Sequence, residues 1–309
     1  MENSNILITG NRGFLGRHLS SALEKLNCNL YFSNTKIANL MDYKNLNIYD
    51  DIKFDYIFHL AAHTKAGDYC LYHKGDQFEI NQTINTNILK YWRTHQSQAK
   101  MIAMGTSCSY SPGLPLTEEN YLKGEPDSGL YVYAMTKRML LVGLKSYAEQ
   151  FGLKYIYYVP STLYGEEFDI DDSHFIFDLI KKIYSGKKYG TDVILWGDGH
   201  QKRELIYVKD AIDIILKTTD SENNIINLGT GVEYSIRDYA KKICNFIGYD
   251  KNKIIYDKTK YVGVKSKKIH TENLYTILPD FKFSNIENNL QNVINYYSIK
   301  ENEKVGHNK

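Results

Sequence analysis

Short, near-continuous apolar runs recur along the first half of the chain. Each is followed by small or polar residues and then by a segment whose apolar positions repeat at helical intervals. Asn5-Ile6-Leu7-Ile8-Thr9 runs into Gly10-Asn11-Arg12-Gly13-Phe14-Leu15-Gly16, and Arg17 to Leu26 then has helical spacing. Asn29-Leu30-Tyr31-Phe32, Asp55 to Ala62, Lys100 to Gly105 and Lys154 to Pro160 are further runs of the same kind, with helices predicted at Asn81 to His95 and Tyr131 to Gln150. Strands buried on both faces that alternate with helices predict an α/β fold, a Rossmann-type doubly wound parallel sheet over residues 1–165.

Beyond Tyr164-Gly165 the alternation breaks at Glu166 to His174. A helix is predicted from about Phe175 to Tyr184, then strand and turn through Val193 to Ile206, a helix over Asp210 to Thr219, a strand-turn at Asn227 to Gly231 and a helix over Ser235 to Ile247. This predicts a smaller mixed α/β substrate-binding lobe over 166–300, with part of 205–235 returning to the first domain, and a disordered polar tail at 301–309. Residues 63–80, which include His63, Lys65, Gly67, Asp68, Cys70 and His73, read as a polar loop longer than a simple connection requires, a kind that is often functional.

Charge narrows the partners. Lysine and arginine total 38 against 36 acids, a formal charge of +2, which gives no electrostatic basis for a nucleic-acid or membrane-surface partner and points to a small molecule. The four cysteines are widely spaced without a Cys-x-x-Cys pair, so neither a disulfide framework nor a metal site is expected. His63, Cys70 and His73 fit no common zinc spacing. A polar start at Met1 to Asn5 and the lack of a long apolar stretch predict no secretory leader or membrane span, and hence cytoplasmic residence.

The glycines at 10, 13 and 16 sit directly between a strand and a helix, where the backbone can turn tightly, approach a pyrophosphate and present free amides to it. The second strand ends in Ser33-Asn34-Thr35-Lys36 without the acid that would hold a ribose 2′-hydroxyl. Arg12 and Lys36 are candidates to answer a 2′-phosphate, so NADP is expected ahead of NAD. Leu60, Ala61 and Ala62, small at the end of the third run, allow a cofactor to pack closely, and His59 reads as a satisfied structural histidine.

Tyr133 and Lys137, four apart on a predicted helix, share one face, and a phenol beside an ammonium is a proton donor whose pKa the cation should lower. Thr106, Ser107 and Cys108 follow the fourth run, at the strand end where ligands collect in an open parallel sheet. A hydroxyl there can bond a substrate oxygen while Tyr133 protonates it. A thiol there can move a proton on an adjacent carbon, or else Cys108 is a small buried hydrophobe. His174 opens the Phe175 helix as either cleft residue or cap, and Arg203 is a candidate diphosphate clamp or a salt-bridge partner of Glu204. Apolar Met139, Leu140, Leu141, Val142 and Leu144 are numerous enough for a second buried face, consistent with a homodimer.

Gly10-x-x-Gly13-x-x-Gly16, His59-Leu60-Ala61-Ala62, Tyr133-x-x-x-Lys137, Pro160-x-x-Leu163-Tyr164-Gly165 and Arg203-Glu204 together resemble the extended short-chain dehydrogenase/reductases over nearly the whole chain. Within them Gly105-Thr106-Ser107-Cys108-Ser109-Tyr110-Ser111-Pro112 and Ser173-His174 are similar to the GDP-L-fucose synthase group, the GDP-4-keto-6-deoxy-mannose 3,5-epimerase/4-reductases. The resemblance implies an NADP-dependent enzyme reducing the 4-keto group of a GDP-linked deoxysugar, with Thr106, Tyr133 and Lys137 as reductase residues and Cys108 with His174 as the epimerising acid/base pair. It implies further cofactor contacts from Phe14, Leu15, Asn39, Leu40, Pro160, Thr162 and Leu163, and substrate contacts from Ser107, Cys108, Thr162, His174, Lys182 and Trp196. Thr162 stands where that group carries a substrate-contacting asparagine, and the 63–75 loop also differs. An NAD-dependent 4-epimerase or 4-dehydrogenase, a 4,6-dehydratase, and a non-catalytic nucleotide-binding regulator stay open as alternatives.

Overall fold

The computed structural model describes residues 1–64, 69–169, 174–260 and 263–307, the side chains of Leu71 and of residues 304–307 excepted. Lys65, Gly67 and Asp68 of the long loop and Ser173 beside His174 lie outside the described residues. In chain order the elements are β1 (Asn5–Thr9), α1 (Phe14–Glu24), β2 (Asn29–Ser33), β3 (Tyr56–His59), α2 (Tyr69–Tyr72), α3 (Lys74–His95), β4 (Lys100–Met104), α4 (Tyr131–Phe151), β5 (Tyr155–Pro160) and β6 (Thr162–Tyr164). Then come α5 (Phe175–Tyr189), β7 (Val193–Trp196), β8 (Lys202–Tyr207), α6 (Val208–Thr218), β9 (Asn224–Leu228), β10 (Glu233–Ser235), α7 (Ile236–Ile247), β11 (Ile254–Asp257), α8 (Glu272–Ile277) and α9 (Ile286–His307).

The chain divides into two units. The first comprises Met1–Pro160, Ala211–Leu228 and His270–Asp280. Among the described residues six parallel strands form its sheet, in the order β2-β1-β3-β4-β5-β9. From β1 the order runs one way to β2 and the other way to β3, so the carboxyl ends part at β1/β3 and leave a crevice there. The strands are apolar because helices cover them: Ile6, Leu7, Ile8, Ile57, Phe58, Met101, Ile102, Ile156, Tyr157 and Tyr158 are fully buried. Helix α1 buries Gly16, Leu19, Ser20 and Leu23, one stripe at helical spacing, and α4 ends at Gly152, whose φ of 68° suits glycine.

The long loop expected at 63–80 is largely helical, with α2 from Tyr69 and α3 from Lys74. Over its first turns α3 buries Gln77, Asn81 and Asn85, so the face toward the core carries amides and has no apolar period to read.

The second unit comprises Ser161–Asp210, Gly229–Ile269 and Phe281–Lys309. It holds a three-stranded sheet, β10-β8-β6, and a parallel pair, β11-β7. Phe168 stacks on Phe177 with ring centroids 4.1 Å apart, and Tyr184 meets Tyr297 edge-on at 5.3 Å. Of the tail expected to be disordered, the described residues 301–307 are instead the last part of α9. That helix is anchored by buried Leu290, Val293, Ile294 and Tyr297, and Glu301 lies 3.6 Å from Lys188.

Candidate active site

Gly10 follows β1 with φ of 73°, and a Cβ placed on it would lie 2.7 Å from the amide nitrogen of Ala61. The turn after β1 and the Leu60-Ala61-Ala62 segment after β3 are therefore in backbone contact at the switch point. A Cβ on Gly16 would collide with the carbonyl of Gly10 and come within 2.8 Å of Asn11 Cα. Nothing of the kind explains Gly13. It is exposed, its conformation is open to any residue, and a Cβ there would meet only Gly10 O at 3.4 Å. Gly13 caps α1 without any side-chain cap, and the first turn of α1 carries no acid, so its amides are left for an anion. These residues fit a dinucleotide: two glycines serve the turn itself, and the third leaves room outside it.

Around this turn Phe14 and Leu15 are partly buried, Arg12 and Lys36 are exposed, and Leu60, Ala61 and Ala62 are partly buried. After β2, Asn34 rather than an acid organises the chain. Its Nδ2 donates to Asn11 Oδ1 at 3.0 Å, and its Oδ1 accepts from the amides of Lys36 and Ile37 at 2.9 and 3.1 Å. Asn39 Oδ1 accepts from the Met41 amide at 3.1 Å, and Leu40 is buried.

Beyond β4 the chain enters a short 3-10 turn, Ser107–Ser109, capped by Thr106, whose Oγ1 accepts from the Cys108 amide at 3.2 Å. Gly105 must precede it because a Cβ would lie 2.6 Å from the Tyr157 ring and 2.7 Å from Tyr121 Oη. The same two tyrosines link the turn to α4. The Thr106 amide donates to Tyr121 Oη at 3.3 Å, Tyr121 and Tyr157 share a hydrogen bond of 3.1 Å, and Tyr157 donates to the Lys137 carbonyl at 2.7 Å.

Tyr133 and Lys137 lie on α4 one turn apart. Thr106 and Cys108 are both near enough to the Tyr133 phenol to act on its ionisation. Burial, and then negative charge on Cys108, push the phenol well above its usual range, with Thr106 opposing them. The expected depression by Lys137 is absent: that side chain is buried and donates from Nζ to the Met104 carbonyl at 2.8 Å. Burial alone lowers the Lys137 ammonium to about 8.

His59 is the satisfied histidine its position implied. Its Nδ1 is 2.9 Å from Thr9 Oγ1 and its Nε2 is 3.0 Å from Asn85 Oδ1, while Thr9 Oγ1 accepts from the Ala61 amide at 3.2 Å. Asn85 Nδ2 reaches the Thr136 carbonyl at 3.4 Å, so a buried polar chain joins the glycine-turn strand to α4. Burial holds the imidazole neutral, with its pKa lowered to about 4. The amide and hydroxyl members of this chain, and the two tyrosines, carried no signal in the sequence.

In the second unit His174 is exposed and precedes α5, its carbonyl accepting from the Phe177 and Asp178 amides, each at 3.0 Å. Lys182 pairs with Asp178 at 2.9 Å, within its own helix. Trp196 is exposed at the end of β7. Arg203 does not pair with Glu204. Its Nη1 donates to the carbonyls of Lys202 and Val264 at 2.7 and 2.9 Å, whereas Glu204 accepts from the Gly231 and Ile269 amides, both at 2.8 Å. Burial raises Glu204 to about 7. Pro160 ends β5, and Thr162 and Leu163 lie partly buried in β6. Between them the Ser161 hydroxyl is buried with no hydrogen-bond partner among the described residues, a polar atom that a ligand or water can satisfy. Cys108 lies in the first unit and His174 in the second.

A glycine turn at a switch point, with a tyrosine, a lysine and a hydroxyl gathered past the next strand ends, places the molecule among dinucleotide-dependent α/β proteins. Residues 6–229 match the NAD dependent epimerase/dehydratase family, and the chain belongs to that family. It is similar to the GDP-L-colitose synthase of Yersinia pseudotuberculosis, with 30% identity over 96% of this chain and 99% of that one. It is also similar to the GDP-L-fucose synthase of Escherichia coli, 27% identical over 90% and 91% of the two chains. Among solved structures the fold is similar to a GDP-L-fucose synthetase from Naegleria fowleri, with a TM-score of 0.87 and 24% identity, covering 98% and 95% of the two chains. A structure of a GDP-L-fucose synthetase from Naegleria fowleri bound to NADP gives a TM-score of 0.83 at 23% identity over 98% and 95%.

Proposed function

We propose that this chain is an NADP-dependent reductase acting on the 4-keto group of a GDP-linked 4-keto-6-deoxy-sugar, with epimerisation at the carbons flanking the ketone preceding reduction. The observation that carries this reading is the fastening of the helix that bears Tyr133 and Lys137 to the end of β4, by the 2.8 Å bond from Lys137 to the Met104 carbonyl just before Thr106, in the unit that also holds the glycine turn. The names of the relatives, GDP-L-colitose synthase and GDP-L-fucose synthase, support the GDP-sugar class.

Bound NADPH supplies the hydride. Tyr133, kept protonated by its raised pKa, gives its proton to the oxygen of the forming alkoxide, and Thr106 donates a hydrogen bond to the same oxygen. Lys137 has N–H donors beyond the one given to Met104 and offers them to the cofactor ribose. Arg12 and Lys36, both exposed beside the turn, answer a 2′-phosphate. Cys108 and His174 remove and return protons on the carbons next to the ketone, and Ser107, Thr162, Lys182, Trp196 and Arg203 contact the nucleotide sugar. The Arg203 guanidinium faces its diphosphate. Met139 and Val142 are exposed on α4 and suit a homodimer contact. Among the described residues no helix is long and apolar enough to cross a membrane.

The test is a screen of GDP-, dTDP-, UDP- and CDP-linked keto-sugars with NADPH and NADH, followed by loss of reduced nicotinamide absorbance. Consumption of NADPH with the GDP-linked substrate is expected. Tightly held NAD in the purified protein, with no net consumption, would favour an epimerase. Turnover in deuterated water tests the epimerising step, since deuterium must enter at the carbons flanking the ketone if Cys108 and His174 exchange protons there.

A further inference from the structure

Arg138, immediately after Lys137, is 5% exposed, and among the described residues the four hydrogen bonds of its guanidinium all go to main-chain oxygens. Nε and Nη2 both donate to the Ser109 carbonyl, at 3.0 and 2.6 Å. Nη1 donates to the Gly124 carbonyl at 2.7 Å, and Nη2 to that of Lys123 at 3.0 Å. Burying a guanidinium costs several kcal/mol in desolvation, and none of these four bonds supplies an opposite charge, so an apolar side chain would serve packing alone more cheaply. The contacts explain what the cation does. Ser109 closes the turn that begins at Thr106 and carries Cys108, and its own hydroxyl donates to the Ala134 carbonyl of α4 at 3.0 Å. Together with the Lys137 bond to Met104, three neighbouring residues of α4 hold both ends of the segment from Met104 to Ser109, while Tyr133 rides on the same helix.

We propose that Arg138 is a positioning residue: through the Ser109 carbonyl it fixes where the turn bearing Thr106 and Cys108 stands relative to Tyr133. The planar fork reaches Ser109 twice and Gly124 and Lys123 once each, which a lysine ammonium cannot reproduce. The role in turnover rests on the reductase reading above, but the placement of the turn does not.

The experiment uses full-length R138K and R138M, with far-ultraviolet circular dichroism and NADPH titration as checks of the fold. Two readouts follow: steady-state kinetics on the GDP-linked keto-sugar, and the rate at which iodoacetamide labels Cys108, followed by mass spectrometry. Both variants are expected to fold and bind NADPH as wild type does, to lose about 10²-fold in kcat with KM little changed, and to label Cys108 at a clearly altered rate. Folded variants with wild-type kcat and wild-type labelling overturn the proposal. So do variants that lose NADPH affinity, helical signal and turnover together, since Arg138 would then serve only the fold. If wild type reduces no keto-sugar, the proposed function fails, and the labelling rate alone decides the placement of the turn.

Discussion

Lys137 donates from Nζ to the main-chain oxygen of Met104 at 2.8 Å, fastening the helix that carries Tyr133 to the last residue of the strand that leads to Thr106. The bond places an ammonium where burial draws its pKa down to about 8, close to the range in which an enzyme works. Because the charged form is the one lost as pH rises, kcat/KM is expected to fall above about 8, and Lys137→Met should remove that limb along with most of the rate. A pH–rate profile of the free enzyme checks this.

Tyr133→Phe keeps the ring and removes only the proton donor. The loss expected in kcat is about 10²–10⁴-fold, the usual worth of a positioned general acid, with NADPH affinity unchanged by titration. Thr106→Val should lower kcat in the same way, and it also removes the cap on the Cys108 amide.

The glycines of the turn separate stability from binding. Gly10→Ala forces a Cβ to 2.7 Å from Ala61 N at a positive φ and is expected to cost about 1–3 kcal/mol, seen as a lower melting temperature. Gly13→Ala meets only open space and one ordinary contact, so the melting temperature should hold while the NADPH dissociation constant rises.

Two buried groups tilt the pH dependence of stability in opposite directions. His59 has its pKa lowered from 6.5 to about 4, so the folded state binds fewer protons than the unfolded one in that window. Its contribution is lost as pH falls from 6.5 toward 4, on the order of 3 kcal/mol in full. Glu204 is raised from 4.5 to about 7, so the folded state binds more protons there, and stability declines as pH rises through that window. Glu204→Gln should therefore gain relative to wild type between pH 4.5 and 7. His59→Leu should abolish the His59 slope and cost about 1–3 kcal/mol for each of the two bonds lost, those to the Thr9 hydroxyl and to Asn85 Oδ1. Urea unfolding at several pH values measures both.

The strands, the glycine turn and the Tyr133/Lys137 helix were legible because parallel strands covered on both faces must be apolar throughout, and because the turn needs glycine at 10 and 16 for its own packing. The first turns of α3 were not, since Gln77, Asn81 and Asn85 form a buried face by hydrogen bonding rather than by hydrophobicity. Arg138 gave no signal, because a lone arginine on a helix reads as solvent-facing until the carbonyls of Ser109 and Gly124 are seen beneath it. The end of α9 was missed for the opposite reason: the polar residues Lys300 to Lys304 mask a helix anchored earlier by Val293, Ile294 and Tyr297. The spacing of Tyr133 and Lys137 gave their shared helix, but not the direction of the ammonium, which is set by Met104.

The central claim is that Tyr133 protonates a ketone oxygen on a nucleotide sugar, and it is tested most directly by following NADPH absorbance with a GDP-4-keto-6-deoxy-sugar for wild type and Tyr133→Phe side by side. Steady consumption by wild type and near silence from the variant, with both proteins binding NADPH equally, is the expected result. Equal rates from the two, or no consumption by wild type with any nucleotide keto-sugar, would contradict it.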